Sequence, residues 1–425
     1  MIRALATGCV AAAFAWNLVA NPGLGAELLW LAAWMAAAAV FAAAEARRLP
    51  GFAHRPQIRH AHPALRGALA LALTSGYAVL YWWPEAVAPV LPAVDDLSWW
   101  IRGVDADRWW WYGLAYTMLV LTSGLIVFVR YRHDAYQRRR TAAVTAAQLV
   151  FAFLLPSILQ GLDAEHAALH RDWKLFWPLD HSFFEPYRLD AMRSGGLLGR
   201  AYFFLGLFLF AVVAPVATYF YGKRWYCSWI CGCGGLAETA GDAFRTLSSS
   251  TPRSWRWERW LIYPILAWIT VATAVVVGGY LAGVDRIGPV AIYPVFTRPY
   301  AFAVGALFSG VIGVGFYPLL GNRIWCRFGC PLAAYMGIVQ RFASRFKVST
   351  EAGGCIACGA CTLHCEMGID VRAYAMKGED VHRAACVGCG VCAEVCPRDV
   401  LRLESTPEGR IWRLHPEAKS PPSAK

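Results

Sequence analysis

Cys355-Ile-Ala-Cys358-Gly-Ala-Cys361-Thr-Leu-His-Cys365 and Cys386-Val-Gly-Cys389-Gly-Val-Cys392-Ala-Glu-Val-Cys396-Pro397 are the two segments whose spacing decides the C-terminal fold. Each runs C-x2-C-x2-C-x3-C. In such a run the first three thiolates wrap one corner of an iron–sulfur cubane and the fourth turns toward the neighbouring cube. The spacing therefore assigns Cys355, Cys358, Cys361 and Cys396 to one [4Fe-4S] cluster, and Cys386, Cys389, Cys392 and Cys365 to a second. Zinc is the lesser reading, since a tetrahedral site has no use for a third closely spaced cysteine. Two clusters held this way move electrons singly. Glu366 stands where the first run would ordinarily carry a proline like Pro397; the ligands are intact but the local turn differs.

Most of the 425-residue chain has another character. It is 58% hydrophobic and 16% charged with mean hydropathy +0.40, a balance that places much of its apolar surface in lipid. The 14 cysteines are not a disulfide framework, because nearly all sit in short metal-type spacings whose thiolates need a reducing compartment. The net charge of +12 points to a positive-inside membrane protein before nucleic acid, since the arginines gather in short links between apolar runs.

A bilayer core takes about 20 apolar residues as helix. On that measure about eight runs begin near residues 2, 26, 65, 109, 141, 200, 259 and 300. The links containing Arg47 to Arg66, Arg130 to Arg140 and Lys223 to Arg259 are basic, which predicts both termini and these links in the cytoplasm of a bacterial inner membrane. The first run is expected to stay as an uncleaved anchor. The predicted organisation is five N-terminal transmembrane helices over 1–160, an extracytoplasmic loop over 161–200, three further helices over 201–345, a small α+β two-cluster ferredoxin domain over 346–404, and a polar tail over 405–425. The fold class is thus mostly α: a polytopic helical membrane protein with a bacterial-ferredoxin unit.

The chain also repeats itself. Gly222-Lys-Arg224-Trp-Tyr-Cys227-Ser-Trp-Ile-Cys231 and Gly321-Asn-Arg323-Ile-Trp-Cys326-Arg-Phe-Gly-Cys330-Pro331 share a glycine, an arginine, an aromatic and a C-x3-C pair in one order. Such self-similarity predicts two duplicated units packed as a pseudo-symmetric pair at the membrane surface. Residues four apart share a helix face, so four sulfurs can converge as a third site for a metal or an iron–sulfur cluster, beside Arg224, Arg323 and Arg327. Soft sulfur suits iron–sulfur, zinc or cuprous copper. Redox thiols and plain packing are the competing readings. Cys233 is a spare ligand or a bystander, and Cys9 is structural.

Together these residues resemble the NosR/NapH group of polytopic membrane ferredoxins over about Ala201 to Glu404. The resemblance implies a quinol-linked or cytoplasmically fed carrier of single electrons to a partner redox enzyme, of the quinol-dehydrogenase-subunit type, with an electron-transfer role for Cys227, Cys231, Cys326 and Cys330. The alternative is an accessory protein that supplies electrons or handles copper during maturation of a metalloenzyme; a redox sensor is a further possibility. Gly232 replaces the proline expected after Cys231, and no Ser/Thr-Gly-Ala-Thr segment for a covalent flavin is found, so the NapH-like end of the group is the better match.

In the 161–200 loop, His166, His170, Asp172, Trp173 and His181 offer a quinol or metal site only if they are more than a solvated loop. No histidine sits inside a predicted helix to ligate b-haem, and no C-x-x-C-H attaches c-haem. The match of Gly232, Gly234 and Ala237 to G-x-G-x-x-A has no preceding strand and is accidental.

Overall fold

The computed structural model of the protein describes residues 7, 10–17, 23–48, 51, 62–162 and 170–405. Among them, seven helices are long and apolar enough to cross a membrane: α1 (Leu24–Ala46), α2 (Pro63–Trp82), α3 (Arg108–Arg130), α4 (Ala135–Leu162), α5 (Gly196–Tyr221), α6 (Pro252–Ala282) and α7 (Ile292–Gly315). The chain is therefore a polytopic helical protein, as its apolar runs predict. The run expected from residue 2 lies largely outside the described residues, of which 10–17 are helical. Cys9, His166 and the tail 406–425 lie outside them altogether.

Several spans start earlier than the apolar residues alone indicate, because caps set the starts. Asp107 accepts hydrogen bonds from the Trp109 and Trp110 amides at 2.8 and 3.1 Å, and Asp134 accepts from Tyr136 at 2.8 Å. Thr251 caps α6 through the Ser254 amide, which carries that helix through Arg253, Arg256 and Arg259 before its apolar stretch. An N-cap oxygen satisfies an amide that has no intrahelical partner. The outer faces of the spans are bare hydrocarbon: Leu29, Leu71, Phe204, Trp260, Val271 and Leu281 are all exposed. Water would penalise a surface so continuous, whereas lipid does not.

The segment expected as a 161–200 loop is not simply solvated. It contains a helix at Pro186–Ser194, and Lys174, Phe176, Trp177 and Phe183 are buried. The Trp173 amide donates to the Phe151 carbonyl of α4 at 3.1 Å. Phe176 meets the Tyr226 ring at 5.2 Å, and Trp177 donates to Thr273 of α6 at 2.9 Å. Of the five aromatic residues at positions 173, 176, 177, 183 and 184, three (Phe176, Trp177 and Phe183) are buried, and with these contacts the segment folds back between the spans.

The sequence repeat is also a conformational one. Gly222 (φ 65°, ψ 175°) and Gly321 (φ 97°, ψ 172°) end their helices in one backbone region that is essentially closed to other residues. A β-carbon at Gly222 would lie 2.4 Å from Phe346, and one at Gly321 would lie 2.3 Å from Ser248 Oγ. Cys231 and Cys330 then occupy the same extended N-cap position, before the helix Gly232–Glu238 and before α8 (Pro331–Phe342).

Beyond α8, β1 (Lys347–Thr350) pairs antiparallel with β2 (Leu401–Glu404), Val348 opposite Leu403. Between them lie three short helices, two of which, Ala360–Leu363 and Val391–Glu394, follow left-handed glycines, Gly359 and Gly390. This ferredoxin-like unit packs against the helical part through Val387, Phe346 and Met336 in one continuous core. Replacing Gly222 or Gly321 by alanine is expected to destabilise the fold by at least ~1–3 kcal/mol, read as a lower Tm in detergent; an unaltered Tm for both variants would refute the requirement.

Candidate functional site

Three sets of thiols stand in sequence along the ferredoxin unit and the helices beneath it. Cys355, Cys358, Cys361 and Cys396 line one cavity with Ile356, Arg372, Pro397, Arg398 and Leu401. Cys365, Cys386, Cys389 and Cys392 line a second with Glu366, Val348, Val387, Gly388 and Leu403. The chain thus crosses the two runs over: the fourth cysteine of each joins the other's first three. The open space is about 320 and 400 Å3 respectively. Among the described residues no three His, Cys, Asp or Glu side chains converge on a point that would hold a single metal ion. The thiols stand around the walls of each cavity, a disposition that fits a cubane.

The two cavities differ in exposure. Cys358 is exposed, as is Ile356 beside it. Around the second cavity the helical part closes in. Tyr136 donates to the Gly388 carbonyl at 2.7 Å; Gln137 and Arg140 donate to the Cys389 carbonyl at 2.9 and 3.0 Å. Ser228 donates to Val387 at 2.9 Å, and Gln340 to Arg383 and Cys386, each at 2.8 Å. The cysteine loop 386–389 is therefore held by side chains from α4, the C-x3-C segment and α8. Burial pushes the Cys365 thiol up to about 12 and Cys392 well above its ordinary value, so ligation must displace protons that are otherwise retained.

Glu366, the residue in the proline's place, is fully buried and explains its own presence. Arg323 Nη2 bonds Glu366 Oε1 at 3.2 Å and also bonds Glu238. Arg140 pairs with the other Glu238 oxygen at 3.0 Å. Burial works against a charge on Glu366, but Arg323, Arg245 and Arg140 outweigh it and hold the carboxyl down to about 2. The same arginine turns its other nitrogen to the third thiol set: Nη1 lies 3.1 Å from the Cys227 carbonyl and 3.8 Å from Cys326 Sγ. One guanidinium therefore touches the second cavity's wall and a C-x3-C segment at once.

Cys227, Cys231, Cys326 and Cys330 are all buried. Burial first, then the charges of Cys231 and Cys326, raise Cys227 to about 12. Cys330 is raised by burial and then by Cys326, Cys227 and Cys231, so the four thiols are mutual neighbours. Cys330 Sγ accepts from the Ala333 amide at 3.4 Å, and the N-terminal end of α8 favours negative charge there. Cys231 is drawn down to about 7, chiefly by a hydrogen bond with Cys233, which gives that extra cysteine a place beside the set. Gly234 is a packing requirement: a β-carbon would lie 2.0 Å from the Cys227 carbonyl. Cys326 lies in a π-helical turn, Trp325–Gly329, a distortion common at functional positions.

The depth of this set departs from the sequence expectation. Tyr116 of α3 donates to the Gly232 carbonyl at 2.8 Å, and a β-carbon at Gly232 would stand 3.1 Å from Gln148 Oε1, halfway along α4. The first motif re-enters the helix bundle and does not stay at its end. Apolar patterning could not reveal this, because the segment is too short to register as a span. Among the loop residues, His181 packs on Tyr300 at 5.6 Å, and burial pulls its imidazole below the ordinary value. Asp172, half-buried, forms an ion pair with the buried Lys174. His170, Asp172 and His181 form no metal-holding group.

Comparison with known proteins adds three findings. The family description 4Fe-4S binding domain matches residues 203–250 and 302–349, the two halves of the repeat, and 4Fe-4S dicluster domain matches 354–401. Curated relatives include the putative electron transport protein YccM of Escherichia coli (strain K12), 28% identical over 35% of this chain and 43% of YccM. The methylamine utilization ferredoxin-type protein MauN of Methylobacillus flagellatus is 25% identical over 55% of this chain and 78% of MauN, and the regulatory protein NosR of Stutzerimonas stutzeri is 26% identical over 38% and 22%. The matched segment spans less than half the length of YccM and NosR. No solved structure matches.

Glu366→Gln should leave the Arg323 guanidinium buried without that partner, at a cost of about 3–5 kcal/mol, read as earlier thermal release of the ferredoxin unit in limited proteolysis. The sign in pH follows from the lowered carboxyl. Its contribution is full above the ordinary value of 4.5 and is lost as pH falls toward about 2. Equal release temperatures for the variant and the unmodified chain at pH 6 would remove the ion pair from the account.

Proposed function

We propose that this chain, a membrane-spanning iron–sulfur relative of YccM, MauN and NosR, is a carrier of single electrons between a cytoplasmic donor or the quinol pool and a partner redox enzyme. Two thiol sets, Cys355/Cys358/Cys361/Cys396 and Cys365/Cys386/Cys389/Cys392, would hold the two [4Fe-4S] clusters of the ferredoxin unit. Cys227, Cys231, Cys326 and Cys330 would hold a third site. When bound, such clusters supply one-electron oxidation and reduction.

The observation that carries this reading is Arg323, which binds the wall of the second cavity and a C-x3-C segment with one side chain. The chain's own residues supply what a carrier needs. Cys358 and Ile356 leave one set open to a soluble partner. Tyr136, Gln137, Arg140 and Gln340 clamp the second set against the helices. The C-x3-C thiols lie in a buried, water-poor setting, with Arg323 offsetting negative charge. Basic links between spans support a bacterial inner-membrane location with the ferredoxin unit in the cytoplasm.

Anaerobic quantitation should find about twelve iron and twelve sulfide atoms per chain, against about eight for the ferredoxin unit alone. Cys227→Ser or Cys326→Ser should remove the excess and stop electron throughput to an added acceptor while both ferredoxin EPR signals persist. Eight irons with unimpaired throughput in the variants would reject the membrane site, and copper in place of the extra iron would favour a maturation role.

A further inference from the structure

The C-x3-C set is approached from two sides, and the second approach comes from a segment that shares no motif with it. Lys174 belongs to the 170–185 stretch that folds back between the spans. Its side chain is 3% exposed and its ammonium pairs with Asp172. Its carbonyl accepts the Tyr226 hydroxyl at 2.8 Å, one residue before Cys227. A β-carbon at Gly232 would stand 3.5 Å from Lys174 Cε and Nζ, so the ammonium ends against the residue that follows Cys231. Position 232 is thus bounded by Lys174 and Gln148.

A charge so far from water has to be matched by opposite charge. Asp172 provides part of that, but the carboxylate is the more exposed partner, at 21%, and the ammonium is the member that reaches Gly232. Four thiolates with iron form an anionic site, which a nearby cation stabilises most in its reduced, more negative state. Arg323 and Lys223 of the repeat do this for Cys227 and Cys326, and Lys174 is the cation that faces Cys231.

We infer that Lys174 is a positioning residue of the C-x3-C site, its fixed positive charge raising the reduction potential there, with Asp172 setting how much of that charge the site feels. This rests on the four-thiol cluster reading above.

The test is an EPR-monitored redox titration of the full chain in lipid nanodiscs, following the signal that Cys227→Ser abolishes. Lys174→Gln should shift the reduction equilibrium about tenfold toward the oxidised form, a midpoint lower by ~59 mV for one electron. Asp172→Asn should move the midpoint upward, Lys174→Arg should hold it near the unmodified value, and the two ferredoxin signals should stay in place throughout. Misfolding does not produce opposite signs from the two partners of one ion pair. A midpoint that ignores Lys174→Gln, or rises with it, overturns the role of Lys174. Should Lys174→Gln fail to accumulate, an unmoved or lowered midpoint in Asp172→Asn does the same. Absence of any third signal in the unmodified chain overturns the cluster reading instead, and the role of Lys174 with it.

Discussion

A single guanidinium, that of Arg323, holds the arrangement together. It is 1% exposed, and a charge in that position is stable only if every neighbour is arranged to meet it. Glu238 comes from the helix after the first C-x3-C pair, Glu366 from the ferredoxin unit, and the Cys227 carbonyl from the repeat. None of the three can move independently without stranding the others. The ferredoxin unit is therefore clamped to the helices through its cysteine loops, and its orientation is the one in which the second thiol set faces the membrane part.

The helical part faces a related constraint from its solvent. Spans coated with hydrocarbon leave no water for polar backbone, so irregular segments at depth must be enclosed by protein. The re-entrant first motif meets this condition through Tyr116 on the Gly232 carbonyl and Arg323 on the Cys227 carbonyl. The 170–185 stretch meets it through Phe151 and Tyr226. Both segments end near the midpoint of α4, where its turns widen to π-helix over Gln148–Leu154. The distortion lies where two chain segments enter the bundle from different directions.

Much of this was legible from residues alone. The C-x2-C-x2-C-x3-C spacing implied the exchange of fourth cysteines, because three turns of short spacing cannot bring the last sulfur to the same corner as the first three. The apolar runs implied the spans, since lipid imposes a length on them. The glycine, arginine and C-x3-C order implied the duplication, and Gly222 and Gly321 have matching backbone angles. Less legible were the span starts, which depend on Asp107, Asp134 and Thr251 as caps, and the burial of residues 173–184, whose aromatics suit an interface and an interior alike.

By itself the sequence determined the elements and the chemistry: apolar helices, two cysteine runs of ferredoxin type and a repeated pair of thiols, all encoded by local spacing and by the solvent each segment tolerates. Only the tertiary structure decided how those parts meet. Glu366 replaces a proline because an arginine about forty residues earlier needs a partner, and Gly232 lies against a lysine from a distant loop. Those relations depend on buried charge and excluded volume between remote segments, which no local pattern records.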